Sequence, residues 1–238
     1  MVGVIFLPYN LFIMVKGKFI VIEGTDGSGK GEQTLRLVRH LKDSGHDVAP
    51  FDFPRYNEPS CWFVSEYLRG GFGTIEQVGP KTASLFYALD RYAAAPQIRS
   101  AIDEGKVVIS NRYVASNLGH QGSKFSDPKE REQYFQWNYD LEYNINGIPK
   151  ADLSIILHVP AETAQKLASQ KLERKYLMGK KDIHESNIDH LKRTEEVYHQ
   201  LALLFPNDFT VVECVEGGRL LTIDEIHDKV WKIVEKIV

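Results

Sequence analysis

The sequence predicts an α/β protein built on a five-stranded parallel sheet with helices on both faces. Three observations carry this. Five short, apolar, β-branched runs near residues 19–23, 47–53, 106–110, 153–159 and 209–213 alternate with helical segments. Strands that read as continuous hydrophobic runs are those buried on both faces. The first run stops at a glycine-rich loop and a helical pattern starts behind it, the strand–loop–helix setting of a phosphate-binding loop. Finally, 238 residues with 43% hydrophobic content are enough for one large α/β domain.

Taken in order, residues 1–15 read as an N-terminal extension and 16–238 as a single domain. The apolar run from Met1 to Met14 is too short to span a bilayer. It has no basic start, and Pro8 and Asn10 interrupt it, so it does not read as a secretory signal. The strand 19–23 leads to a helix over about 30–44, closed by Gly45, and then to the strand 47–53. Ser60 is expected to cap a helix carrying Trp62, Phe63, Tyr67 and Leu68. Pro80 suits the first turn of a helix over 81–104, kinked at Pro96 and ended by Gly105. Lys106 to Ser110 is a short buried strand. Asp127-Pro128 opens a helix through about 145, and Pro160 opens another after the strand Leu153 to Val159. Ser186 to Asp189 and Thr222 to Glu225 each fit a capping-box start. No repeat, low-complexity tract or linker divides the chain.

The chemistry begins in the loop Gly24-Thr25-Asp26-Gly27-Ser28-Gly29-Lys30. Glycines let successive backbone N–H groups turn toward one anion, and the following helix adds its positive end. Lys30 reaches the outer phosphates. The residue after the lysine normally brings a hydroxyl to Mg²⁺; here Gly31 stands there, followed by Glu32. A net charge of −3 argues against a general nucleic-acid binder. Cys61 and Cys214 lack metal-ligand spacing and read as reduced, buried thiols of a cytosolic protein. Lys166, Lys171, Arg174, Lys175, Lys180 and Lys181 face one acid, Glu173, within 166–181. From the residues alone, this stretch is either a solvated helix face or a lid that neutralises phosphate charge. Arg55, Arg91 and Arg112 lie outside charge runs. Arg112, just past the strand KVVIS, is on the sheet edge where ligands of open α/β sheets bind, and suits bidentate phosphate recognition.

The chain resembles the thymidylate kinase family, collinearly from about residue 17 to the C-terminus. The resemblance rests on EGTDGSGK at 23–30, FPRY at 53–56, LFYALDR at 85–91, NRYVASNLGHQG at 111–122 and PKADL at 149–153. It implies a P-loop kinase fold with a basic lid over about 166–185, a cytoplasmic homodimer, ATP with Mg²⁺, and dTMP as acceptor, with no nucleic-acid or membrane partner. It implies an ATP site at Gly24, Asp26, Gly27, Ser28, Gly29, Lys30, Gly31 and Glu32. Asp26 resembles the carboxylate at the deoxyribose 3′-hydroxyl, and Arg55 and Tyr56 resemble residues at the acceptor phosphate. Tyr87 stands where an aromatic, usually Phe, stacks on thymine, and Arg91 where an arginine reads a base carbonyl. Arg112 resembles the arginine on the acceptor phosphate. Ser116, Asn117 and Gln121 match the segment near the base, and His120 replaces an aromatic that guards against a 2′-hydroxyl. Lys30, Arg112, Asp26 and the lid's Arg174 are the implied catalytic set. With Gly27 uncharged, the lid becomes the natural source of clamping charge.

Two positions depart together: Gly31 lacks the loop hydroxyl, and Asn111 replaces the acid of the usual Asp-Arg pair. Mg²⁺ is then expected to arrive on ATP and keep a water shell held by Asp26, Glu185 or Glu32. The alternatives are a related deoxynucleotide kinase of different base preference and a nucleotide-binding regulator with impaired catalysis.

Overall fold

The structure, a computed structural model, describes residues 16–169 and 188–238. Its main sheet has five parallel strands: β1 (Phe19–Glu23), β2 (Val48–Asp52), β3 (Val107–Asn111), β4 (Leu153–His158) and β5 (Phe209–Glu213), ordered β2-β3-β1-β4-β5. The central position of β1 follows from its sequence. Every residue of FIVIE is buried, and a strand flanked on both edges and both faces has no solvent-facing side to make polar. Its alternation divides the core. Phe19 and Val21 face one apolar cluster, and Ile20 and Ile22 face another, because successive strand side chains point to opposite faces.

The first cluster lies under α4 (Pro80–Asp103), α5 (Val114–Gly122), α6 (Pro128–Tyr139) and α8 (Ile188–Leu204). The second lies under α1 (Lys30–Asp43), α7 (Ala161–Ser169) and the C-terminal α9 (Ile223–Val234). Two shorter helices, α2 (Trp62–Leu68) and α3 (Ile75–Val78), precede α4. A small antiparallel pair, β6 (Val215–Glu216) and β7 (Arg219–Leu220), follows β5 and has no counterpart in the sequence reading.

Several local expectations hold. Thr222 accepts from the Glu225 amide while the Glu225 side chain accepts from the Thr222 amide, a complete capping box. Asp127 caps α6 by accepting from the Lys129 and Glu130 amides. Pro80 opens the first turn of α4, and the helix runs unbroken past Pro96 to Asp103. Others are corrected. Ser60 does not cap α2; it sits in a short 3-10 turn, Pro59–Cys61, and its hydroxyl donates to Asp90 Oδ1 at 2.6 Å. The helix expected through 145 changes at Asp140 into a single π-helical turn, Asp140–Ile145. Residues 1–15, the Ser186 cap, and the lid beyond Ser169 with Arg174 and Glu185 lie outside the described residues. Cys61 and Cys214 are free and buried, and burial pushes both thiols up to about 12. No helix among the described residues is long and apolar enough to cross a membrane.

Candidate functional site

The phosphate loop runs from the end of β1 to the start of α1. Gly24, Gly27 and Gly29 all adopt positive φ. At Gly27 (φ 86°) any side chain is excluded twice, since its Cβ would stand 2.0 Å from the Ala164 carbonyl oxygen of α7. Lys30 is 5% exposed, and its Nζ donates to the Thr25 carbonyl at 2.6 Å, folding the cation across the loop. The hydroxyls of Thr25 and Ser28 are buried with no hydrogen-bond partner among the described residues. Buried polar groups are ordinarily satisfied, so a cradle with spare donors and a folded-in ammonium fits polyphosphate oxygens.

Two clefts meet in front of this loop. One follows it, lined by Gly27, Gly29, Lys30 and Gly31 with Asp52 and Asn111 at the ends of β2 and β3. The other, about 600 Å³ including its open mouth, is lined by Phe53, Pro54, Tyr56, Leu68, Tyr87, Arg91, Ser116, Asn117, His120 and Gln121. Asp26, Phe53, Pro54, Tyr56 and Arg112 belong to both walls. Every acceptor-site residue named from the sequence lines this second cleft except Arg55. Its guanidinium is taken by Asp90, with Nε donating to Oδ1 at 3.1 Å and Nη2 donating to Ser60 and to the Asp90 carbonyl. Glu32 is also off the walls; it accepts from Arg36 Nε one turn along α1, an exposed ion pair.

Arg112 is the hinge of the arrangement. It is the one non-glycine residue with positive φ among those described, at 65°. Such a conformation costs on the order of 1–3 kcal/mol and persists only where the surroundings hold it. Here its amide donates to the Ile22 carbonyl at 2.9 Å, and Ser110 Oγ donates to its carbonyl at 2.7 Å. The side chain pairs with Asp26, and Nη1 donates to Ser116 Oγ at 3.2 Å and to His120 Nε2 at 3.0 Å. An arginine only donates, so His120 Nε2 accepts and its proton sits on Nδ1. That proton faces His190 Nε2 at 3.4 Å, and His190 Nδ1 faces Ser123 Oγ at 3.4 Å. Burial, then the Arg112 charge, holds the His120 pKa well below its usual value. Burial, then Lys124, lowers His190 to about 4. His120, backed by His190, thus meets the arginine as a neutral acceptor and adds no second positive charge beside it.

The sequence reading missed four acids around the site. Glu23 is fully buried and accepts from the Tyr113 amide (2.7 Å), Ser116 Oγ (2.7 Å) and Tyr198 Oη (3.1 Å), fastening the start of α5 to β1. Glu142 pairs with Arg91 in full burial, Arg91 Nε donating to its two oxygens at 3.1 and 3.2 Å. Burial disfavours the Arg91 charge, but Glu142 outweighs it and raises the guanidinium pKa. Asp90 orients Arg55. Asp52 accepts from Asn111 Nδ2 at 2.8 Å, directly across the β2–β3 register. Glu23 and Asp90 lie inside motif runs and could have been found there; nothing in the sequence around Glu142 sets it apart.

Asp52 bears on the metal question. The Asn111 carboxamide oxygen is buried without a partner among the described residues, beside the Asp52 carboxylate and in the cleft of Lys30 and Gly31. A Cβ at Gly31 would meet no atom within 4 Å. Asp26, Asp52 and Asn111 are hard oxygen donors around open space. They fit a Mg²⁺ that keeps several of its waters, with Asp52 supplying the acid that position 111 lacks.

A family model described as thymidylate kinase matches residues 22–219. Among similar proteins, a thymidylate kinase of Mycobacterium tuberculosis is 32% identical over 184 residues, covering 77% of this chain and 85% of that protein. One of Caldicellulosiruptor saccharolyticus is 27% identical over 226 residues, covering 94% and 98%. A solved thymidylate kinase structure from Candida albicans superposes with a TM-score of 0.71 at 22% identity, over 93% of this chain and 92% of that one.

Proposed function

The chain belongs to the thymidylate kinase family, and from that premise we propose that it transfers the γ-phosphoryl group of ATP to dTMP, giving ADP and dTDP. The family's members are nucleoside monophosphate kinases that use ATP, typically with Mg²⁺. The observation that carries the reading is the shared wall: Asp26 and Arg112 border both the phosphate-loop cleft and the cleft of Tyr87 and Arg91. A donor phosphate in one and an acceptor phosphate in the other meet at the same guanidinium.

The residues divide the work as follows. The loop amides and Lys30 hold the donor's outer phosphates. Tyr87 offers a π-face to the base, Arg91 and Asn117 read its polar edge, and Asp26 takes the 3′-hydroxyl. Arg112 draws the acceptor phosphate up to the γ-phosphorus, whose bond to the β,γ-bridging oxygen breaks as the acceptor oxygen attacks in line. The acceptor is already anionic, so positioning and charge neutralisation suffice without a strong general base. Asp26, Asp52 and Asn111 would hold the waters of a Mg²⁺, which when bound would supply neutralising charge to the donor phosphates. Further cationic charge comes from the segment after α7, including Arg174.

The chain acts as a single cytoplasmic kinase domain and as a homodimer. Trp62 and Phe63 on α2 and Leu85, Leu89 and Tyr92, spaced four and three residues apart on α4, are exposed, and exposed apolar residues on one helix face suit a self-complementary interface. The test of function is ADP formation with ATP, Mg²⁺ and dTMP, dUMP, dCMP, dGMP, dAMP or UMP. Preferred turnover of dTMP supports the proposal. Turnover of another acceptor keeps the mechanism and moves the base assignment to Tyr87 and His120. Binding without turnover leaves a regulatory nucleotide-binding protein.

A further inference from the structure

His158 ends β4, and Glu195 and His199 stand one turn apart on α8. Each offers a ligand atom, and the three atoms lie within 4.8 Å of one another. None takes part in the phosphoryl transfer described above. We propose that His158, Glu195 and His199 form a Zn²⁺-type metal site that ties β4 to α8 behind the phosphate loop.

The donor set selects the class. Two imidazoles and one carboxylate suit Zn²⁺ with a fourth position left to water, whereas Mg²⁺ takes oxygen ligands. The supporting groups are already in place. His158 Nε2 lies 2.8 Å from Glu195 Oε1, and its other nitrogen, Nδ1, lies 2.5 Å from Glu213 Oε2. A metal-binding histidine almost always donates its second N–H to a carboxylate or carbonyl, which fixes the tautomer and leaves the other nitrogen for the metal. Glu213 does this for His158. The Ala161 amide donates to Glu195 Oε2 at 2.9 Å, so the carboxylate is held from behind and Oε1 faces His158. The His199 ring meets that of His158 edge-on, with centroids 4.3 Å apart.

The three side chains border a small cleft, about 230 Å³ including its open mouth, whose other walls include Gly24 and Thr25 of the phosphate loop. His158 and Glu195 are 18% and 22% exposed, so an ion can enter from solvent. Tetrahedral ligands at about 2.0–2.1 Å from zinc stand roughly 3.3 Å apart. Seating the ion therefore parts His158 from Glu195 by about half an ångström and draws His199 inward by side-chain rotation. The bridge would join β4 to α8, and α7 is coupled to it through its first residue. Ala161 begins α7 and is already hydrogen-bonded to the ligand Glu195.

The test uses the full chain, stripped with EDTA and free of nucleotide. ZnCl₂ is titrated by calorimetry, and Co²⁺ is used as a visible probe. One Zn²⁺ should bind per chain and raise the melting temperature. His158→Gln and His199→Gln should each weaken binding at least tenfold and abolish the thermal shift, and Glu213→Gln should weaken it 10–100-fold. Circular dichroism checks that each variant folds. For any that does not, the unaltered chain decides: an intense Co²⁺ spectrum of low coordination number, displaced by Zn²⁺, supports the site. A weak octahedral spectrum, absence of stoichiometric Zn²⁺ binding, or equal binding by the folded histidine variants overturns it.

Discussion

Glu142→Gln is the sharpest probe of the acceptor pocket, because it disturbs Arg91 without touching the cleft wall. Arg91 and Glu142 are 2% and 0% exposed. Removing one member of such a buried pair typically costs about 3–5 kcal/mol, since the other charge stays buried and uncompensated. Glutamine keeps the shape and one acceptor oxygen, so the lower end applies. A loss of about 3 kcal/mol is roughly a 150-fold change in the unfolding constant, against a usual total of about 5–15 kcal/mol. Urea unfolding should register it as a midpoint lowered by about 1 M or more. Steady-state kinetics should show a raised KM for dTMP, because an arginine without its anchor loses its orientation at the base edge. The double variant Arg91→Met, Glu142→Leu should recover much of the stability, as apolar replacement of a buried pair often does, while leaving KM high. A loss below about 1 kcal/mol, the level of an exposed ion pair, would refute the reasoning.

Other consequences are equally open to measurement. Gly31→Ser has space for its side chain and should lower the Mg²⁺ concentration needed for half-maximal rate; an unchanged requirement would mean that Asp52 and Asn111 already meet the need. Arg112→Lys keeps the charge but loses the fork that reaches Asp26 and the acceptor phosphate, and should cut kcat by about 10²-fold or more, as loss of one transition-state donor does; full activity would remove Arg112 from the mechanism. His190, whose folded pKa is depressed to about 4, stays neutral while an unfolded chain takes up its proton near pH 6.5. Stability is therefore full above pH 6.5 and lost as pH falls through 4, by as much as about 3 kcal/mol from this one group. His190→Gln should flatten the melting-temperature profile over that window, and an identical profile would contradict the assignment.

Much of the fold was legible because the three inner strands, β1, β3 and β4, are buried almost throughout and so carry nearly unbroken apolar runs, while the partly exposed edge strands β2 and β5 keep shorter ones. The cleft-lining residues were legible because most sit in compact motif runs, Tyr87 and Arg91 in one and Arg112 to Gln121 in another. What escaped were the contacts made across long sequence distances. Glu142 meets Arg91 from 51 residues away, on a π-helical turn that no local periodicity announces. Asp52 meets Asn111 from 59 residues away, so the swap of an acid between neighbouring strands looks like a defect until the register is known. Arg55 and Glu32 were placed by their position in a motif, yet each is drawn off by a nearer opposite charge, Asp90 and Arg36.

The close approach of Gly27 to Ala164 sets a boundary on how this enzyme could be redesigned or could drift. An arginine cannot be installed at position 27 while α7 stays where it is, since its first carbon would overlap a backbone carbonyl that no rotamer change can move. The helix that leads into the basic stretch thus forbids the loop from carrying that charge itself. If the basic stretch clamps phosphate as proposed, moving that charge into the loop would require α7 to retreat first, a step in backbone position and not a single substitution.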